Sequence, residues 1–175
     1  MSETRWLEHL DLLQAGETLR GEQLDGFGND HFGAKVLALQ LDEVSLTHVR
    51  AHVDCGPQHH QPYGIVHGGV WCAIVESLAS LGGAVNAASQ DRLVVGVSNA
   101  TDFLRAHRTG RVEALAEPIH VGRSQQLWQV VLTRADDGKA VARGQVRLQS
   151  VAPEQPLAGQ GATVTAESPR QAGAR

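Results

Sequence analysis

The chain has 175 residues, 42% of them hydrophobic, and a formal net charge of −4. That length suits one domain with enough apolar residues for a core, and the acidic balance argues against a general nucleic-acid binder, which carries a basic excess. Cys55 and Cys72, its two cysteines, supply neither a disulfide framework nor a CxxC metal motif. The N-terminus, Met1-Ser-Glu-Thr-Arg-Trp, has no basic-then-apolar leader pattern. The longest apolar stretch, residues 70–85, is interrupted by Glu76, Ser77 and Ser80 and is short for a membrane span. The simple reading is a cytoplasmic protein with reduced thiols.

Trp6, Leu7, Leu10, Leu12 and Leu13 recur at roughly helical spacing and predict a short amphipathic helix over 4–14. The glycine-rich stretch 15–33 reads as an irregular connection. Segments 35–42 and 45–54 alternate apolar with polar residues, the period of strands with one solvated face, and their proximity predicts a hairpin. A loop rich in His, Gln, Pro and Gly follows, 55–66. Residues 67 to about 87 then form a helix apolar on nearly every face, which requires burial. Gly82 and Gly83 weaken it by about 1 kcal/mol each relative to Ala, which makes sense where another backbone packs close. Four more strands are expected at about 92–105, 111–121, 124–135 and 139–150, the last two joined by the hairpin turn Asp136-Asp137-Gly138. Strand, strand, buried helix and four strands make an α+β pattern with a largely antiparallel sheet. Pro153, Pro156 and Pro169 lie in a tail, 151–175, with little apolar periodicity, and disorder is expected there.

The most informative segment runs from Gln61 to Ser80, a polar loop entering the apolar helix. A carboxylate within such a helix is costly unless paired or used, so Glu76 calls for an explanation. Gly68 and Gly69 leave backbone N–H groups at the helix start open to an incoming oxygen. Gln61 can add an amide donor. The combination suits polarising a carbonyl while Glu76 attacks it, or activates a water that does. Gly68 and Glu76 lie eight residues apart, roughly 12 Å along one helix, so one chain cannot bring both to one carbonyl. Two antiparallel copies of the helix can, which predicts a homodimer. Ser80, one turn beyond Glu76, can orient the carboxylate or hold a water, or can simply cap or pack the helix.

The pieces Gln61-Pro-x-Gly-x-x-His67-Gly68-Gly69, Glu76-Ser77, Asn99-x-x-x-Phe103-Leu104-Arg105, His120-Val121-Gly122-Arg123 and Gln126-x-Trp128-x-Val130 resemble the hotdog-fold acyl-CoA thioesterases. The branch is that of the phenylacetyl-CoA, 4-hydroxybenzoyl-CoA and dihydroxynaphthoyl-CoA thioesterases. The resemblance spans roughly residues 30 to 150. It implies a curved antiparallel sheet wrapped around one long helix, in a domain over 31–150 preceded by a helix and lead-in over 1–30. It implies an acyl-CoA substrate, sites shared between subunits of a dimer, and association to a tetramer. His67 then orders the loop by hydrogen bonding, with a catalytic base role as the rival. Gly96 and Asn99 then line the acyl pocket. Arg105, together with His120, Val121, Gly122, Arg123, Ser124 and Gln125, meets coenzyme A, arginine's planar fork suiting phosphate; the rival is solvated strand-end charge.

Trp71, Ile74 and Leu78 suggest a pocket for an aromatic or medium-chain acyl group. No cofactor is expected, and no metal, since His52, His59, His60 and His67 lack ligand spacing and an extended 59–60 pair points to opposite sides. Other readings are a hotdog hydratase or dehydratase, whose His and acid arrangement differs, a non-catalytic acyl-CoA sensor, and a structural assembly protein. A sensor usually carries a DNA-binding element, and the N-terminal helix here is too small and too acidic for one. An assembly role leaves the polar loop and Glu76 unexplained.

Overall fold

The computed structural model describes residues 3–25, 32–157 and 160–161. Helix α1 (Glu3–Gln14) buries Leu10 and Leu13 and stops at Gly16, whose φ of +85° is a conformation glycine adopts without penalty. Strand β1 (Leu19–Arg20) pairs with β2 (Gln40–Val44), and β2 with β3 (Val49–Cys55). Leu13, Leu19 and Leu24 join the main core, so this lead-in packs onto the sheet. After the long helix α2 (Gly68–Ala88) come β4 (Leu93–Phe103), β5 (Gly110–Val121), β6 (Gln125–Arg134) and β7 (Ala140–Val151). All seven strands form one antiparallel sheet in the order β1-β2-β3-β5-β6-β7-β4. A small hairpin, β8 (Pro156–Leu157) with β9 (Gln160–Gly161), follows; the remainder of the tail expected to be disordered lies outside the described residues.

The inner face of the sheet follows the alternation in the sequence. Val49, Ala51 and Val53 of β3, Val112, Ala114 and Ala116 of β5, Trp128, Val130 and Leu132 of β6, and Val146 and Leu148 of β7 are buried. They enclose one side of α2 and meet Trp71, Ile74, Val75, Leu78 and Val85. Each large apolar side chain so buried contributes about 1.5–3 kcal/mol. The 21-residue α2 is apolar and long enough to cross a membrane by composition alone; here five strands pack against it.

Three expectations need correction. The strand foreseen over 35–42 is β2 only from Gln40. The N–H groups of Val36 and Leu37 donate to the Phe32 carbonyl and that of Leu39 to Gly33, so this backbone is satisfied by local turns. Helix α2 is sealed on one side only: Cys72, Ala73, Glu76, Ser77, Ser80 and Leu81 are half-buried. Trp71, Ile74 and Leu78, foreseen as pocket wall, are 3%, 0% and 1% exposed within the core. Their positions fall on the helix face turned to the sheet's interior, away from Glu76.

The Gln126-x-Trp128 piece has a structural use. Buried Gln126 donates from Nε2 to the Gly83 carbonyl (3.1 Å) and accepts from Trp128 Nε1 (2.9 Å), so both polar side chains are satisfied inside the core.

Candidate active site

The site begins at the start of α2. His67 is the N-cap, in extended conformation, and its Nδ1 accepts from the Gly69 N–H at 2.8 Å. The acceptor role fixes the neutral ring with its proton on Nε2. The Val70 N–H turns back to the His67 carbonyl. Among the described residues the Gly68 N–H has no acceptor, so the donor closest to the loop stays available at the positive end of the helix. The Phe103 ring lies over Gly68: a Cβ there would come within 2.5 Å of Cε2, so any larger residue must push the ring aside. Half-buried Gln61 closes a turn through its backbone, donating to Ile65 and accepting from Gly64, while its side-chain amide has no protein partner among the described residues.

Gly68, Cys72, Glu76 and Ser80 recur every fourth residue and form one stripe along α2. This stripe faces β4, which runs antiparallel to the helix: Phe103 lies at Gly68, Asn99 at Cys72 and Glu76, and Gly96 at the Glu76 carboxylate. Asn99 donates from Nδ2 to Glu76 Oε2 at 2.8 Å and to the Cys72 carbonyl at 3.1 Å. Ser80 donates to Glu76 Oε1 at 3.4 Å, long for such a bond, so it steers more than it fixes. Gly96 has no side chain to collide with Glu76 Oε1. The carboxylate is thus half-buried and hydrogen-bonded, at a strand that is itself the edge of the sheet.

The foreseen coenzyme A residues are far apart in one chain. The Arg105 N–H donates to the Val141 carbonyl and its guanidinium to Ala140, at the start of β7. His120 and Val121 end β5, Gly122, Arg123 and Ser124 form the turn, and Gln125 pairs with Gln149 near the end of β7. Eight residues of strand separate the two places, roughly 27 Å. Sequence reasoning missed Thr101 and left Phe103 without a role; both share the inner face of β4 with Asn99, and strand alternation is the signal that links them.

The histidines serve separate partners. Buried His59 accepts the Gly56 N–H and bonds the Leu37 carbonyl, His60 bonds the Arg108 carbonyl, and His52 pairs with Asp42. No group of three or more His, Cys, Asp or Glu suited to a metal occurs among the described residues. Burial pushes the Cys55 thiol up to about 12, which keeps it un-ionised and unreactive.

A curved antiparallel sheet around one long helix is the hotdog architecture. The family model described as Thioesterase superfamily matches residues 63–141. A Mycobacterium tuberculosis protein named as an esterase is 47% identical over 117 residues, 66% of this chain and 83% of the relative. Its solved structure superposes with a TM-score of 0.66 at 46% identity, over 68% of this chain and 95% of that one. A Pseudomonas aeruginosa protein named as an esterase is 33% identical over 154 residues, 88% of this chain and 96% of the relative. A 1,4-dihydroxy-2-naphthoyl-CoA hydrolase of Listeria monocytogenes is 39% identical over 74 residues, 42% of this chain and 59% of the relative. The chain belongs to the thioesterase superfamily. It is a hotdog-fold thioester hydrolase of the acyl-CoA thioesterase kind.

Proposed function

We propose that the enzyme hydrolyses an aromatic or medium-chain acyl-CoA to the free acid and coenzyme A in a site shared by two chains. The observation that carries this is the stripe on α2: an open Gly68 N–H at its start and a Glu76 carboxylate held by Asn99 further along lie beside the same uncovered strand. The Gly68 N–H and the Gln61 amide polarise the thioester carbonyl, stabilising the charge that develops on its oxygen. Glu76 of the other chain either attacks the carbonyl carbon, giving an anhydride that water then cleaves to the free acid and the regenerated carboxylate, or takes a proton from the water that attacks; in both routes the carbon–sulfur bond breaks as the thiolate leaves and is protonated. Single turnover in ¹⁸O water separates the two routes, since only an anhydride route leaves label in the Glu76 carboxylate. His67 holds the donor end of the helix by its cap.

Two features support the shared site. The reach from Gly68 to Glu76 is roughly 12 Å, too far for one carbonyl. Strand β4, eleven residues long, is an unpaired edge with Val97 53% and Phe103 57% exposed, the kind of edge proteins cover. A two-fold pairing there sets the two α2 helices antiparallel. It also allows Arg105 of one chain and the 120–125 turn of the other to approach one coenzyme A. The aromatic preference rests on the relative named for 1,4-dihydroxy-2-naphthoyl-CoA, since the core residues foreseen as pocket wall are buried. With both cysteines free, a cytoplasmic location is part of the same reading.

The test is thiol release from a panel of aromatic and aliphatic acyl-CoAs by the wild type, by Glu76→Ala and by Gly68→Val. Each variant alone should be inactive. Co-refolding them should restore about a quarter of wild-type activity, because half the dimers are mixed and each has one intact site. No restoration would place both groups in one chain's site and sink the shared arrangement. No turnover of any thioester, with tight acyl-CoA binding, would sink the hydrolysis reading.

A further inference from the structure

Asn99 is held in a single orientation. Its Nδ2 faces two acceptors, the Glu76 carboxylate and the Cys72 carbonyl. Turning the amide over would set Oδ1 against both, acceptor to acceptor. Its Oδ1 in turn receives the Thr101 hydroxyl at 2.7 Å, the shortest bond in the group. Thr101 is seated opposite Gly144 on β7, its register partner, where a Cβ would stand 2.5 Å from Oγ1. Two glycines therefore make room for the chain of bonds: Gly144 beside Thr101 at one end, Gly96 beside Glu76 at the other. Asn99 itself is exposed, and water competes for its amide unless a second partner fixes it.

We propose that Thr101 is a positioning residue for hydrolysis: through Asn99 it fixes the direction of the Glu76 carboxylate. This rests on Glu76 being the reacting carboxylate. No hydrogen bond joins Thr101 to Glu76, and the Thr101 hydroxyl proton is committed to Asn99 Oδ1. Its effect belongs in turnover rather than in substrate affinity, because a carboxylate free to swivel spends less time in line with the carbonyl.

The experiment compares kcat and KM of Thr101→Val and Thr101→Ser, with Glu76→Ala beside them. Removing one hydroxyl bond to a neutral amide should lower kcat about five- to tenfold with KM unchanged, and Thr101→Ser, which keeps the hydroxyl, should recover it. In an Asn99→Ala background Thr101→Val should cost nothing further, since the route through the amide is already cut. Equal losses in the Val and Ser variants, or full additivity with Asn99→Ala, would overturn the proposal and assign Thr101 to packing. Wild-type kcat in Thr101→Val with an inactive Glu76→Ala would overturn it while leaving Glu76 in place. An active Glu76→Ala would overturn both readings. If Thr101→Val does not fold, Thr101→Ala gives the same comparison without the added methyl against Gly144.

Discussion

At the N-terminal end of α2, Gly68-Gly69 lies under two rings that can move; near its C-terminal end, Gly82-Gly83 lies under two side chains that cannot. A Cβ on Gly68 or Gly69 would meet Phe103 or His67, both exposed. One on Gly82 or Gly83 would meet Trp128 or Leu148, each 0% exposed. The two dipeptides are identical in sequence and both permit a close approach. What differs is the freedom of the neighbour. The first pair borders an open donor and a polar stripe, where a ligand can displace a side chain. The second seals the helix against the sheet, where nothing can move without opening the core.

The largest expected effect tests the chemical end. Glu76→Gln should lower kcat at least about a thousandfold while the urea midpoint stays put, because the half-buried amide keeps the shape of the acid. Next comes Gly68→Ala: the methyl disturbs the donor and should lower kcat/KM about a hundredfold, with Phe103 swinging outward at little cost in stability. Gly82→Ala should do the reverse. Overpacking against Trp128 outweighs the better helix propensity, for a net loss of about 1–2 kcal/mol in unfolding free energy, with turnover per folded molecule unchanged. If Gly82→Ala cut turnover at full stability, the contrast between the two pairs would fail. The smallest effect is that of His67→Ala, which should cost about 1 kcal/mol through the lost cap, measurable by thermal unfolding.

Much of the fold was legible because its signals are local. The alternation in β3, β5, β6 and β7, the apolar run of α2 and the Asp136-Asp137-Gly138 turn each specify an element within a few residues. The false start of β2 shows the limit: Val36-Leu37-Ala38-Leu39 has strand composition, yet its backbone finds partners at Phe32, Gly33 and His59. Of the candidate site, the Gln61-to-Ser80 segment stood out because it is contiguous. Thr101 did not, since its relation to Glu76 depends on β4 pairing with β7 and lying along α2, a register no local pattern states. Trp71, Ile74 and Leu78 were misassigned for a related reason: on a helix apolar all round, the face that meets the core depends on where the sheet lies.

The cap at the start of α2 has a consequence for local opening. Its acceptor is an imidazole nitrogen, where a serine or aspartate would be usual. The same residue donates its own N–H to the His59 carbonyl, so one histidine ties the first turn of the helix to the loop before it. The first turn therefore leans on that side chain in a way the rest of α2 does not. Amide exchange should show protection at Gly69 falling in His67→Ala while Leu78, deep in the same helix, stays protected; unchanged protection at Gly69 in that variant would disprove the link.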